Sequence, residues 1–196
     1  KGKNFMNTQN LKDLEGKIIE GPLIIKPNLY RDFRGYFFEN WNLKIFKKFI
    51  KKSIDFVQDN SSYSYKGVIR GLHFQLSPFQ QGKLIRVSSG SIFDVIVDLR
   101  LKSKTFSKWA GIELSEENNI QLWIPDGFAH GFISLEEETK VDYKVTNYWS
   151  KEHERSLLWS DKDINIKWPR GLDIKISDKD KSAFTLKDLI AKNELF

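Results

Sequence analysis

The sequence predicts an all-β sandwich or barrel with two small helices at its margin. Three observations carry that reading. Short apolar segments recur along the chain with turn signals between them. Two stretches alternate apolar and polar residues with a period of two. No internal repeat and no linker rich in Gly, Ser or Pro divides the 196 residues, so one domain is expected.

In chain order, Leu23–Ile25 is the first short apolar segment. Trp41 to Lys52 then changes period: Leu43, Phe46, Phe49 and Ile50 form one stripe, with Lys44, Lys47, Lys48 and Lys51 around it. The lysines read as the wet face of a small amphipathic helix, in preference to a nucleic-acid patch. Val68–Leu72 and Lys83–Val87 are further strand candidates. Ile92 to Leu99 alternates, with Phe93, Val95, Val97 and Leu99 on one face and Asp94 and Asp98 on the other. Trp109–Leu114, Gln121–Ile124 and Gly131–Leu135 follow. In Thr139 to Val145, Lys140, Asp142 and Lys144 oppose Val141, Tyr143 and Val145. Ser77-Pro78, Ser89-Gly90, Ser115 to Asn119 and Pro125-Asp126-Gly127 are the turns between them. Leu186 to Leu195 is the second helix candidate. Trp109 and Trp123 are expected in the core, and His153 at the surface.

Composition narrows the chemistry. Hydrophobic residues make up 40% of the chain, enough for a core. Cysteine is absent, which removes disulfides, thiolate nucleophiles and Cys-ligated metals, and a reducing, cytoplasmic setting fits. The net charge of +6 favours anionic partners without naming one. No apolar run is long enough to span a bilayer, and Lys1 to Phe5 lacks the apolar core of a signal peptide. Met6, the single methionine, reads as the native start.

The densest stretch for chemistry is Gly67-Val68-Ile69-Arg70-Gly71-Leu72-His73-Phe74-Gln75. As a strand it puts Ile69, Gly71, His73 and Gln75 on one face, and Gly71 would leave room for a ligand beside His73. A loop then leads to Lys83, which could return beside His73. Histidine is a natural proton acceptor near neutral pH, and a neighbouring ammonium would favour its basic form. A hydrogen-bonded core His with a surface Lys is the plainer alternative. His130 lies in Pro125-Asp126-Gly127-Phe128-Ala129-His130-Gly131-Phe132, flanked by small residues that also suggest close approach by a ligand. A metal site is not expected: His73-Phe74-Gln75 supplies one His and then Gln, and no third strong ligand is evident. Arg31 to Glu39 interleaves charge with aromatics, suited to a nucleotide or to a plain edge strand.

These pieces occur together in one order, and the chain resembles the dTDP-4-dehydrorhamnose 3,5-epimerase family. The segments that carry the resemblance are Arg34-Gly35-x-Phe37-Phe38-Glu39, Gln58-Asp59-Asn60, Gly67 to His73, Gln81 to Val87, Asp94-Val95-x-Val97-Asp98-x-Arg100, Pro125-x-Gly127 to Phe132, Trp168-Pro169 and Ser177 to Asp180. The match runs from about Gly21 to Asp180. It implies an all-β, cupin-type jelly-roll barrel with a few short peripheral helices. Residues 1–20 would be an N-terminal extension, 21–180 the jelly-roll core, and 181–196 a tail with a helix.

The resemblance also implies a reaction. A C4 ketone on a nucleotide-linked 4-keto-6-deoxyhexose acidifies the hydrogens at C3 and C5, and removal of one followed by reprotonation from the opposite face inverts the centre. That needs a base, an acid and a cation or donor at the C4 oxygen, with no cofactor and no metal. By resemblance His73 is the base, Asp180 its partner, Tyr143 the general acid and Lys83 the enolate stabiliser. Arg70 and His130 belong to the sugar pocket. Arg34, Glu39, Gln58, Asp59, Asn60, Glu154 and Lys179 fall at nucleotide- and phosphate-contacting positions, some of them reaching across a homodimer. Trp149 stands where the family commonly stacks a tyrosine on the base. Single-centre epimerases, ketoisomerases and non-catalytic sugar-nucleotide binders are the competing readings on this scaffold, and a metal-dependent cupin and nucleic-acid binding rank below them.

Overall fold

The structure is a computed structural model that describes residues 6–50 and 53–196. The reading of Lys1–Phe5 and the last two residues of the first predicted helix fall outside the described residues. The strands are β1 (Met6–Lys12), β2 (Ile18–Pro27), β3 (Tyr30–Asp32), β4 (Gly35–Phe37), β5 (Gln58–Ser64), β6 (Val68–Gln75), β7 (Lys83–Ser89), β8 (Ser91–Asp98), β9 (Trp109–Ser115), β10 (Gln121–Ile124), β11 (Phe128–Ser134), β12 (Thr139–Val145), β13 (Glu154–Ser156) and β14 (Lys175–Ile176). The helices are α1 (Leu43–Ile50), α2 (Asp178–Lys181) and α3 (Leu186–Ala191).

Two sheets face each other as a cupin-type jelly-roll barrel. The first runs β1-β2-β10-β7-β12-β5 and the second β13-β6-β11-β8-β9, with β14 lying parallel to β6. Ile85, Val87, Ile96, Leu114, Leu122, Phe132 and Val141 meet in the core between them. Burying side chains of this size is the main favourable contribution to folding, on the order of 1.5–3 kcal/mol each.

Both sheets are also covered outside. Phe46 of α1 packs with Leu84, Trp123 and Ile25 on the outer face of the first sheet, while Lys44, Lys47 and Lys48 stay exposed as the helical stripe predicts. The second sheet turns Leu72, Phe74, Val95, Val97 and Trp109 outward, and Leu186, Leu189 and Leu157 cover them. The last residues are stitched down by the Leu101 N–H to the Phe196 carbonyl at 2.9 Å.

Each apolar segment read as a strand falls in one, with Leu99 and Leu135 lying one residue beyond β8 and β11, and the alternations of β8 and β12 put the apolar faces where expected. Residues 6–20, read as an extension ahead of the core, form β1 and the start of β2 and pair into the first sheet. The C-terminal helix is shorter than predicted: Thr185 caps α3 with a reciprocal Asp188 bond, and the helix gives way at Lys192 and Asn193. Trp109 and Trp123 are buried as expected. His153 is part-buried, its Nδ1 bonded to the Ser150 hydroxyl at 2.8 Å and its ring on Phe79. No helix among the described residues is long and apolar enough to cross a membrane.

Candidate active site

His73 is near the end of β6 and Asp180 is in α2. β14 joins them: its parallel pairing with Val68 and Ile69 of β6 delivers the chain to the start of α2, where the Ser177 side chain accepts from the Asp180 N–H. The Asp180 Oδ1 then lies 2.6 Å from His73 Nε2, and its Oδ2 accepts the Gly71 N–H at 3.3 Å. Burial pushes the Asp180 carboxyl up, but the bond and charge of His73, with Gly71 and Ser177, outweigh it and hold it below the usual carboxylate range. An ionised carboxylate can only accept, so Nε2 donates and Nδ1 keeps the lone pair.

Lys83 opens β7 and is buried, with its Nζ 3.4 Å from the His73 carbonyl oxygen. Burial lowers its pKa to about 8, against the opposing pull of Glu154 and Asp94. Tyr143 on β12 pairs with Ile85 on β7 and is half-buried. Burial raises its phenol pKa, so it is a proton donor through the neutral range; Arg70 opposes the shift and Glu154 adds to it. His130 faces His73 across the β6–β11 ladder and bonds Asp94 Oδ2 at 2.8 Å.

Arg70, His73, Lys83, His130, Tyr143, Lys179 and Asp180 line one hollow of about 630 Å³. A second hollow of about 380 Å³ shares His73, Lys83 and Tyr143 and adds Gln58, Asn60, Trp149 and Glu154. Gln58 Oε1 accepts the Trp149 N–H at 3.1 Å, and Glu154 pairs with Lys179 at 2.6 Å. Arg70 is tethered to the Ser64 hydroxyl and the Tyr63 carbonyl. His73, Lys83 and Tyr143 therefore stand at the wall of both hollows, with Arg70 and Lys179 at the first and Glu154 at the second.

Three predicted residues lie elsewhere in this chain. Asp59 is exposed beside the inward-facing Gln58 and Asn60, ion-paired to Lys144 at 2.6 Å. Arg34 sits on the β3–β4 hairpin, exposed and paired with Asp32, beside a fully exposed Phe33. Glu39 lies between that hairpin and α1 and lines neither hollow.

Two local readings need correction. Arg70 and His73 line the same hollow although a regular strand would put them on opposite faces, because the β6–β11 register shifts between His130 and Phe132. The small residues also serve the strands and not a ligand: a Cβ on Gly71 would meet the Gly131 Cα at 2.6 Å, and one on Gly131 would meet the Arg70 carbonyl at 2.6 Å. Gly71 has φ of +120°, which glycine tolerates. The sequence reading gave no role to Asp94, which bonds His130. Asp94 carried a signal, as an acid in the middle of an apolar strand.

The family model for dTDP-4-dehydrorhamnose 3,5-epimerase matches residues 17–188. The dTDP-4-dehydrorhamnose 3,5-epimerase of Shigella flexneri is 53% identical over 158 residues, 81% of this chain and 87% of that protein. The crystal structure of a Legionella pneumophila dTDP-6-deoxy-D-glucose-3,5-epimerase in complex with dTDP-4-keto-L-rhamnose superposes with a TM-score of 0.89 at 44% identity, covering 97% of each chain. A 3'-monoepimerase from Streptomyces bikiniensis, in complex with dTDP-quinovose, shares the fold at 28% identity and a TM-score of 0.86, covering 90% of this chain and 89% of that one. The chain belongs to the dTDP-4-dehydrorhamnose 3,5-epimerase family, and the protein is an isomerase of that type.

Proposed function

We propose that the protein inverts C3 and C5 of a dTDP-linked 4-keto-6-deoxyhexose through an enolate, with His73 as base, Tyr143 as acid and Lys83 at the C4 oxygen. The observation that carries this is the shared hollow, where an imidazole backed by a carboxylate, a phenol and an ammonium line one space. His73 Nδ1 takes the C3 proton; the C–H electron pair forms C3=C4 and the carbonyl electrons move to oxygen, beside the Lys83 ammonium. Tyr143 returns a proton from the opposite face. The resulting imidazolium and phenolate exchange protons with water, and the sequence repeats at C5. Asp180 holds the imidazole in its reactive tautomer and stabilises the imidazolium.

Gln58, Asn60, Glu154 and the exposed Trp149 indole line the second hollow and Lys179 the first, and together they suit the nucleotide end of the substrate. The substrate assignment draws support from the nucleotide sugars bound by the Legionella and Streptomyces proteins.

In this reading the working form is a homodimer. Arg34 and Glu39 are outside their own chain's hollow, and the hairpin bearing Arg34 exposes Phe33, Phe37, Tyr36 and Tyr30. Such a patch is suited to burial against a second copy, where Arg34 would meet the partner's nucleotide. A cytoplasmic location accords with the absence of cysteine.

The test is His73→Asn. It should lower turnover by on the order of 10²–10⁴-fold while leaving dTDP affinity near that of the unsubstituted protein. Substantial retained turnover would remove His73 as the base.

A further inference from the structure

Gln75 takes no part in the proton transfers, and in the sequence it stands only as the residue that does not supply a second metal ligand. It ends β6, pairs with Glu154 of β13 and is buried, with 4% of its surface exposed. A buried primary amide has two donor hydrogens and an acceptor oxygen that need partners. Gln75 gives all of them to backbone. Its Oε1 accepts the Ser150 N–H at 2.7 Å, and its Nε2 donates to the Tyr148 carbonyl at 3.1 Å and to the Phe79 carbonyl at 2.6 Å.

Tyr148 and Ser150 flank Trp149. The segment from Asn147 to Ser150 lies between β12 and β13 and belongs to no strand or helix. Glutamine side chains fasten it. Gln81 Nε2 donates to the Asn147 carbonyl at 2.7 Å, Gln58 Oε1 accepts the Trp149 N–H, and Gln75 grips the residue on either side. The Trp149 side chain is left exposed, and Trp149 and Gln75 both line the second hollow. Ordering a loose side chain and its loop on binding subtracts from affinity, so a stacking surface works best when its backbone is already fixed.

We propose that Gln75 is a positioning residue for nucleotide recognition: by gripping the chain on both sides of Trp149, it holds the indole ready at the second hollow for the base of the nucleotide. With an apolar side chain in its place, the freed Tyr148 carbonyl and Ser150 N–H would find their replacement partners in water, and the segment would turn outward. The inference rests on the reading of Trp149 as the surface that meets the base. The experiment reads the placement of Trp149 in the free protein separately from nucleotide affinity, so the two failures are distinguishable.

The full chain is grown with 5-fluorotryptophan, and the Trp149 resonance is assigned among the six tryptophans from Trp149→Phe. Gln75→Met keeps the length of the side chain and removes its hydrogen bonds. In that variant, without nucleotide, the Trp149 resonance should narrow and move towards that of free 5-fluorotryptophan, while the other tryptophans stay in place. Affinity for dTDP should fall about tenfold, towards that of Trp149→Ala, with inorganic pyrophosphate bound as before and with KM raised more than kcat is lowered. In the Trp149→Ala background, Gln75→Met should cost no further dTDP affinity. If Gln75→Met does not fold, Gln75→Glu decides: it keeps an acceptor for Ser150 but turns a carboxylate oxygen on the Tyr148 and Phe79 carbonyls, and it should show the same changes. A Trp149 resonance unmoved in the variant that folds, or equal losses of dTDP and pyrophosphate affinity, would overturn the positioning role. A moved resonance with undiminished dTDP affinity would overturn the reading of Trp149 on which it rests.

Discussion

His73 Nε2 and Asp180 Oδ1 stand 2.6 Å apart although 107 positions separate them in the chain. The contact is set by backbone pairing, because β14 runs parallel to β6 and carries α2 to the end of the strand. Replacing Asp180 by Asn keeps the shape and removes the charge. Turnover should fall on the order of 10²-fold or more, with dTDP affinity nearly unchanged. The same variant should alter acid stability. The folded-state pKa of Asp180 lies below its unfolded value, so its contribution is present above the unfolded pKa and is lost as pH falls through the folded one. Urea midpoints should therefore fall more steeply between pH 5 and 3 in the unsubstituted protein than in Asp180→Asn. Equal slopes would mean that the pair does not survive in solution.

Lys83 gives a basic limb. Burial places its pKa at about 8, so kcat/KM should decline as pH rises past that value and the ammonium is lost. The phenol of Tyr143 is shifted upward and cannot account for a limb there. Stability should respond in the opposite sense: a lysine whose folded pKa is lowered destabilises the fold while charged, so stability rises from about pH 8 towards the unfolded lysine value. A pH profile of kcat/KM flat through pH 9, measured on folded protein, would deny Lys83 its role.

The hairpin carrying Arg34 predicts complementation between subunits. His73→Asn and Arg34→Ala should each be impaired alone, the second through dTDP affinity reduced roughly tenfold or more, as for loss of a charged hydrogen bond. Mixed and allowed to exchange subunits, the two should regain turnover, because one site in each heterodimer then has an intact His73 and an intact Arg34. No gain on mixing would place Arg34 with its own chain's site or outside any site.

Much of this architecture is written locally in the sequence. β8 and β12 show their period, Ser89-Gly90 marks the turn into β8, and Pro125-Asp126-Gly127 marks the turn from β10 to β11. His73, Lys83, Tyr143 and Asp180 were recognisable as a set from the resemblance, and they do line one hollow. What was not legible depends on tertiary packing. β11 is buried on both faces from Phe128 to Ser134, so it has no alternation to read. The register shift opposite Gly71 reverses the facing of Arg70, and no single-strand pattern encodes it. The outward position of Asp59 follows from β5 being regular, whereas the resemblance grouped Gln58, Asp59 and Asn60 as one unit. Residues 6–20 looked like an extension because β1 is an edge strand with mostly polar residues.

The most direct test follows the reaction itself. dTDP-4-keto-6-deoxyglucose is incubated with the protein in D₂O and observed by NMR. Deuterium should enter at both C3 and C5, at rates that match formation of the doubly inverted sugar. Solvent deuterium at neither position, with the protein folded and dTDP bound, would contradict the account; entry at C3 alone would reduce it to a single-centre epimerase.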